Sequence, residues 1–454
     1  MRTGYGFAAL SVAWMLALAQ AQAFTGKATQ RPNIVIVVAD DLGWADVGYH
    51  NPEIKTPHID RLVRHGVELH AHYVQPQCTP TRVALMTGRY PSRFGNHCTQ
   101  ASNQQALPFG TPTLASALRD AGYETAICGK WHLGSKPEWG PNHYGFDHSY
   151  GSLAGAVGMY DHRYRLTRPE FTQTWHRNHE FVDEEGHATD LVTREAVQWI
   201  ERERSGPFFL YVPYQSVHVP LVEEQRWLDE NAHIEDADRR LFAAAVTHMD
   251  DCIGRMVEAL ARSEQLEDTL IVFTSDNGGL HNHRGDVYPP PDPELHNFSS
   301  NLPLRGQKSQ TYEGGMRVPA FAHWKDTLAP RRVDAPLHVV DWMPTLLDLV
   351  DAPLITSPDQ QAPDWDGTDI WPLLRGDHSH AEPRTLYWIW GEKRTRAALR
   401  HGDWKIVRMS PDGPFELYNL AEDPNETTDL ADDNTDQLAD LVARFEQQSA
   451  RDAR

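Results

Sequence analysis

The chain has 454 residues, 40% hydrophobic and 23% charged, a balance that belongs to a folded globular protein and excludes a wholly disordered one. Lys and Arg number 42 against 63 Asp and Glu, so the formal net charge of −21 excludes nucleic acid as a partner. Any anionic ligand must then be drawn in by a local basic pocket, and with 4 cysteines the fold must rest on its core.

Residues 1–23 fit a cleavable signal peptide, with Arg2, an apolar run from about Phe7 to Ala19, and Ala21-Gln22-Ala23 as the cleavage site. The run is short for a bilayer span and no later segment is apolar enough to cross one, so the mature chain is expected to be exported, periplasmic or extracellular, without stable membrane insertion. Four apolar runs follow, each ending abruptly in a particular kind of polar residue. NIVIVVA (33–39) runs into Asp40-Asp41, and YETAICG (123–129) into Lys130-Trp131-His132. PFFLYVPYQSV (207–217) runs into His218, and TLIVFTS (269–275) into Asp276-Asn277.

Between the runs, helices carry their own punctuation. Thr56 and Pro57 open one that Gly66 stops; a second is expected from Thr111 to Gly122, and a long amphipathic one over 236–263. Continuous apolar strands alternating with helices predict an α/β fold: a large, mostly parallel mixed sheet sandwiched by helices, with ligand groups at the carboxyl ends of the strands. A catalytic domain over 24–378 is expected to precede a small C-terminal α+β subdomain over 379–454, an antiparallel sheet with one helix.

In CTPTRVALMTG, Thr79 suits a helix cap and Pro80 the first helical position, so a helix should start just after Cys78 and end near Gly88. Position 78 would face the positive end of the helix, which favours an anion and lowers a thiol pKa, and Arg82 would follow one turn later. If Cys78 serves chemistry, Cys98, Cys128 and Cys252 leave room for at most one disulfide. Asp40, Asp41, Asp276 and Asn277 form an all-oxygen set that would repel itself without a cation, and such ligands suit Ca²⁺ or Mg²⁺ over Zn²⁺. Each pair alone could equally cap a turn; Lys130 and His132 could be solvated loop residues, and His218 a structural histidine. Three tracts rich in His and aromatics, 161–165, 175–179 and 281–286, are expected to line a ligand pocket; Arg317, beside two glycines, is expected to be structural.

These residues together resemble the type I, formylglycine-dependent sulfatases of the alkaline-phosphatase-like superfamily. CTPTRVALMTGRYPSR is similar to their first signature and GYETAICGKWHLG to their second; VVADDLGWADVG, SVHVP, SDNGG and LRGQKSQTYEGGMRVPA occur in the family's order. Within the family the look is that of the N-acetylgalactosamine-4-sulfatase or arylsulfatase B-like branch. The resemblance implies that a formylglycine-generating or sulfatase-maturating enzyme oxidises Cys78 to Cα-formylglycine (3-oxoalanine), whose hydrate is the nucleophile. It further implies that Asp40, Asp41, Asp276 and Asn277 hold Ca²⁺ together with residue 78, and that Lys130 and Lys308 neutralise the substrate sulfate. Arg82 would favour ionisation of the nucleophile, His218 with Lys308 would protonate the leaving oxygen, and His132 would accept the proton whose loss regenerates the aldehyde. The implied substrate is a sulfate ester on a carbohydrate, a glycosaminoglycan or marine polysaccharide fragment. A phosphoester or phosphonate hydrolase is the alternative within the superfamily, and a glycan-binding protein is the alternative if Cys78 stays unmodified.

Overall fold

A computed structural model describes residues 31–165, 169–352, 365–377 and 383–453; the signal-peptide segment and the expected domain boundary at 378–379 lie outside the described residues. The strand β1 (Asn33–Ala39) is apolar on both sides because both sides are buried. Val35, Val37 and Ala39 enter one hydrophobic layer, while Ile34, Ile36 and Val38 enter the other. Burying one such Val or Ile side chain contributes about 1.5–3 kcal/mol, so an unbroken apolar run is what a central strand requires.

The other three apolar runs form β2 (Glu124–Cys128), β3 (Phe208–Pro213) and β4 (Thr269–Ser275), all parallel to β1. They stand in the order β4-β1-β3-β2 at the centre of a ten-stranded mixed sheet, whose shorter edge strands include antiparallel pairs. Register then decides chemistry: Ala39 is paired with Ser275 and Val38 with Pro213, so the residues that follow these strands emerge side by side. Helix α1 (Pro57–Arg64) and the long helix over Ala237–Arg262 pack on one face, while α2 (Cys78–Thr87) and α3 (Leu114–Asp120) pack on the other.

Two helix starts differ from expectation. The cap of α3 is Thr113, not Thr111, because its Oγ1 accepts from the Ser116 N–H at 3.0 Å while Ser116 Oγ accepts from the Thr113 N–H at 2.9 Å. Helix α2 begins at Cys78 itself, with Gln77 as the flanking residue. Thr79 Oγ1 is drawn away to donate to the His132 carbonyl at 3.2 Å and accept from the Ser102 N–H at 3.1 Å. At the other end, Gly88 adopts φ +65°, a left-handed stop of the kind expected there. All four cysteines are buried free thiols, so no disulfide joins Cys98, Cys128 and Cys252.

Four antiparallel strands over Thr385–Asn419 and the helix Thr435–Ser449 form a small C-terminal unit, the antiparallel sheet with one helix that the sequence leads one to expect. It is bolted onto the segment that precedes Cys78. Trp388 Nε1 donates to the Val74 carbonyl at 2.8 Å, and Trp390 Nε1 donates to Gln77 Oε1 at 2.8 Å. No helix among the described residues is long and apolar enough to cross a membrane.

Candidate active site

The carboxyl ends of the four central strands carry a dense set of buried charges. Asp40 accepts from Lys130 Nζ at 2.5 Å, and Asp41, held at φ +64°, accepts from Lys308 Nζ at 2.7 Å and from Asn277 Nδ2 at 2.8 Å. Asp276 Oδ2 accepts from both Nε and Nη2 of Arg82, at 3.2 and 2.7 Å, and Arg82 Nη1 donates to the Lys130 carbonyl at 2.6 Å. A single network therefore joins the ends of β1, β2 and β4 to the second turn of α2. His218, from the loop after β3, reaches the same place with Nε2 3.7 Å from Asp41 Oδ2.

An open cavity of about 400 Å³ lies over this network, and Cys78, His132, His218 and Lys308 all line it. His132 sits at φ +56° and packs so closely on Gly155 that a Cβ there would come within 2.2 Å of its Nε2. Any side chain at 155 would displace the imidazole. The lining also brings residues that sequence reasoning did not single out: the polar loop Ser102, Asn103 and Gln104, together with Phe171. No periodicity marks that loop, since its place over the cavity follows from the path of the chain after α2. Tyr164, from the tract 161–165, also lines the cavity.

The remaining tracts do not line it. His176 is buried in the strand next to one edge of the main sheet, where Nδ1 bonds with the Gly151 carbonyl at 2.7 Å, and His162 stacks on Trp175 with ring centroids 4.5 Å apart. His283 pairs with Asp292 at 2.8 Å. Burial by strand pairing and stacking thus replaces the expected pocket-lining role for His176 and His162. Arg317 donates through Nε to the His70 carbonyl at 2.9 Å and lies over the Trp44 ring, contacts that suit its expected structural place.

Electrostatics separate the groups. Burial, with the Asp276 and Asp41 charges beside it, pushes Asp40 up to about 8 against the pull of Lys130. Burial would also raise Asp41, but Lys308 and His218 hold it below the ordinary carboxylate range. Burial and the Lys308 charge push His218 down to about 3, and burial with Lys130 and Arg82 keeps His132 well below the usual imidazole value. Cys78 contradicts the expectation of a lowered thiol pKa. Burial raises it, outweighing Lys130 and Lys308, so as an unmodified thiol it is a poor nucleophile.

Two oxygens of the cluster bear on what it can hold. Asp40 Oδ1 and Asn277 Oδ1 are buried and have no hydrogen-bond partner, although such groups are rarely left unsatisfied. An all-oxygen donor set with two open positions fits a hard divalent cation. Cationic side chains around an enclosed cysteine, beside a cation-ready carboxylate cluster at the strand ends, define the class: a hydrolase site for a small esterified oxyanion.

The comparisons specify which class member this is. The chain belongs to the sulfatase family, whose model matches residues 32–352, and it is a sulfuric ester hydrolase. It is 30% identical to mouse arylsulfatase J over 92% of this chain and 76% of that protein. It is 33% identical to human N-acetylgalactosamine-6-sulfatase over 82% of this chain and 71% of that protein. The crystal structure of Ps i-CgsB in complex with k-i-k-neocarrahexaose superposes with a TM-score of 0.81 at 33% identity, covering 93% of this chain and 94% of that one. The fold is accordingly that of the alkaline-phosphatase-like sulfatases. Arylsulfatase and N-acetylgalactosamine-6-sulfatase relatives match about equally well, so the similarity establishes the family without selecting a branch.

Proposed function

We propose that this sulfatase hydrolyses a sulfate monoester on a carbohydrate, using Cys78 after its conversion to formylglycine and a Ca²⁺ ion held by Asp40, Asp41, Asp276 and Asn277. The observation that carries this reading is the pair of buried orphan oxygens, Asp40 Oδ1 and Asn277 Oδ1, beside Lys308, which lines the cavity with Cys78, and the buried Lys130 held by Asp40. When bound, the metal supplies positive charge that polarises the sulfate, and the formylglycine hydrate supplies the attacking hydroxyl.

The chain's own residues do the rest. Lys308 keeps its charge because Asp41 holds its proton against the effect of burial, and with Lys130 it supplies the positive charge that draws the sulfate in. Arg82 is fully committed to Asp276 and to the Lys130 backbone, so it positions those two groups rather than gripping the substrate. His218 is neutral at rest. A bound sulfate brings negative charge beside it and raises its proton affinity, which suits the imidazole to protonate the departing alcohol oxygen. His132, neutral and with Nδ1 unpartnered, can accept a proton from the group at position 78.

Carbohydrate is the favoured leaving group because the cavity wall combines Tyr164 and Phe171 with the polar Ser102, Asn103 and Gln104. The names of the similar proteins, an N-acetylgalactosamine-6-sulfatase and an enzyme crystallised with a neocarrahexaose, point the same way. Residues 1–23 are read as an export signal, residues 24–378 as the catalytic domain and 379–454 as a subdomain that buttresses the Cys78 segment. A maturase is then the required protein partner. Intact-mass analysis of the residue 78 peptide, paired with sulfate release from sulfated oligosaccharides and from matched aryl sulfate and aryl phosphate, tests the reading. Turnover by unmodified thiol, or faster cleavage of phosphate than sulfate, would overturn it.

A further inference from the structure

Outside the cavity, His50, Glu68 and His70 converge from two segments, with one ligand atom of each within 4.8 Å of the other two. Glu68 is the middle residue of the three-residue strand Val67–Leu69, paired with Phe321 on one side and Arg332 on the other. Val67 and Leu69 are buried in the core, so strand alternation turns Glu68 to the opposite side. His70 follows directly and is fixed at both backbone groups: its N–H donates to the Val333 carbonyl at 2.9 Å and its carbonyl accepts from Arg317 Nε at 2.9 Å.

His50 arrives on the loop that leaves Asp41. Its Nδ1 lies 2.8 Å from the Trp44 carbonyl, which can only accept, so that nitrogen carries the hydrogen. In the neutral ring the Nε2 lone pair is thereby free, and Nε2 lies 3.5 Å from Glu68 Oε1. His70 Nδ1 lies 3.0 Å from the same oxygen. A carbonyl-bound second nitrogen is the usual outer support of a metal-binding histidine. Trp44 packs against both imidazoles, stacked on His50 at 4.0 Å and edge-on to His70 at 5.1 Å, which limits their ring motion. The three side chains are 9%, 21% and 24% exposed, so an ion can reach them from solvent.

A second cluster, His187, Asp190 and His248, shows why proximity alone is insufficient. Both nitrogens of His248 face carboxylates, Glu223 at 2.8 Å and Asp190 at 3.3 Å, which makes it an imidazolium clamp with no lone pair to offer. Both nitrogens of His187 are also engaged, Nδ1 by the Thr189 N–H and Nε2 by the Val222 carbonyl. The two clusters differ in what holds the second nitrogen: a neutral backbone carbonyl fixes His50 Nδ1 and leaves Nε2 to a metal, whereas His248 lies between two carboxylates.

We propose that His50, Glu68 and His70 form a second metal site that binds one divalent transition-metal ion, with Zn²⁺ as its natural occupant. Two imidazoles and a carboxylate suit Zn²⁺, whereas the oxygen-only cluster at the strand ends suits Ca²⁺, so the donor sets sort the two ions. The ion would staple the loop carrying Trp44 and His50 to the edge of the main sheet. None of the three ligands lines the active-site cavity.

The test uses the full-length chain, stripped with chelator and then held in excess Ca²⁺ during equilibrium dialysis against Zn²⁺. One Zn²⁺ per chain is expected, with Co²⁺ able to replace it and giving a visible d–d band. In the double variant His50→Gln/His70→Gln this equivalent should bind at least about tenfold more weakly, with sulfate release in Ca²⁺ unchanged. His248→Gln should keep the equivalent. Absence of a Zn²⁺ equivalent in the wild-type chain, or its full retention by the double variant, overturns the proposal. Should the double variant fail to fold, diethyl pyrocarbonate mapping of the wild-type chain decides: Zn²⁺ must protect His50 and His70, and equal labelling with and without Zn²⁺ overturns the site.

Discussion

Two buried clusters of charge in this chain look alike in composition and differ in what they leave open. The strand-end cluster sets Asp40, Asp41 and Asp276 against Lys130, Lys308 and Arg82. The cluster between the catalytic sheet and the C-terminal unit sets Glu313 and Glu426 against Lys405, whose Nζ lies 2.8 Å from a carboxylate oxygen of each. There the chain closes its own charge: Glu313 Oε2 accepts from Tyr73 Oη at 2.6 Å, Glu426 Oε2 accepts from the Glu313 N–H at 2.6 Å, and Glu426 Oε1, although it has no hydrogen-bond donor, faces the Lys405 ammonium at 2.8 Å. At the strand ends Asp40 Oδ1 and Asn277 Oδ1 receive nothing. A buried ion pair is therefore poor evidence of function, and an orphaned buried oxygen gains weight only within a donor set that suits a cation, as Asp40 Oδ1 and Asn277 Oδ1 do.

The comparison can be broken most sharply by removing one residue from each cluster. Cys78→Ala, at the cavity, should lower sulfate release by about 10³-fold or more while leaving the denaturant midpoint near the wild-type value. Near-normal turnover would remove residue 78 from the chemistry. Lys405→Met should do the reverse, costing about 3–5 kcal/mol in urea unfolding because two carboxylates are left buried without their cation. Turnover per folded molecule should stay within about tenfold. A variant as stable as wild type would show that the interface does not depend on this triad.

Metal removal tests the orphan oxygens directly. Chelation should abolish activity, and restoring Ca²⁺ to about 100 times its dissociation constant should raise stability by about 2.7 kcal/mol in the wild-type chain. Asn277→Leu should lose most of that gain, whereas Lys405→Met should retain it. The smallest effect is expected at the seam between the regions: Trp388→Phe removes the hydrogen bond to the Val74 carbonyl and should cost about 1 kcal/mol, read as a shifted denaturation midpoint. A change in KM without a change in stability would mean that Trp388 acts on the site instead.

Much of the site was legible because strand ends are local features. An apolar run that stops at Asp40-Asp41, Lys130 or Asp276-Asn277 announces both the strand and the group it delivers, and a parallel sheet carries all such groups to one edge. Less legible was everything that depends on a neighbour distant in the chain. Thr79 looked like the helix cap, yet its hydroxyl is claimed by the His132 carbonyl, 53 residues away. Cys78 looked activated by its helix, yet enclosure by the sheet raises its pKa. His176 looked like a loop ligand until pairing of its strand with residues 150–152 buried it.

The sequence by itself determined the α/β alternation, the central strands, the signature around Cys78 and the family, because these follow from hydrophobic period and from contiguous motifs. Tertiary structure alone decided which oxygens of the strand-end cluster stay without a partner, which histidines face the cavity, and that residues 102–104 and 171 line it. The physical reason is that burial, register and hydrogen-bond competition depend on groups far apart in the chain, so the same Asp, Lys or His becomes a ligand, a clamp or a filler only once its neighbours arrive.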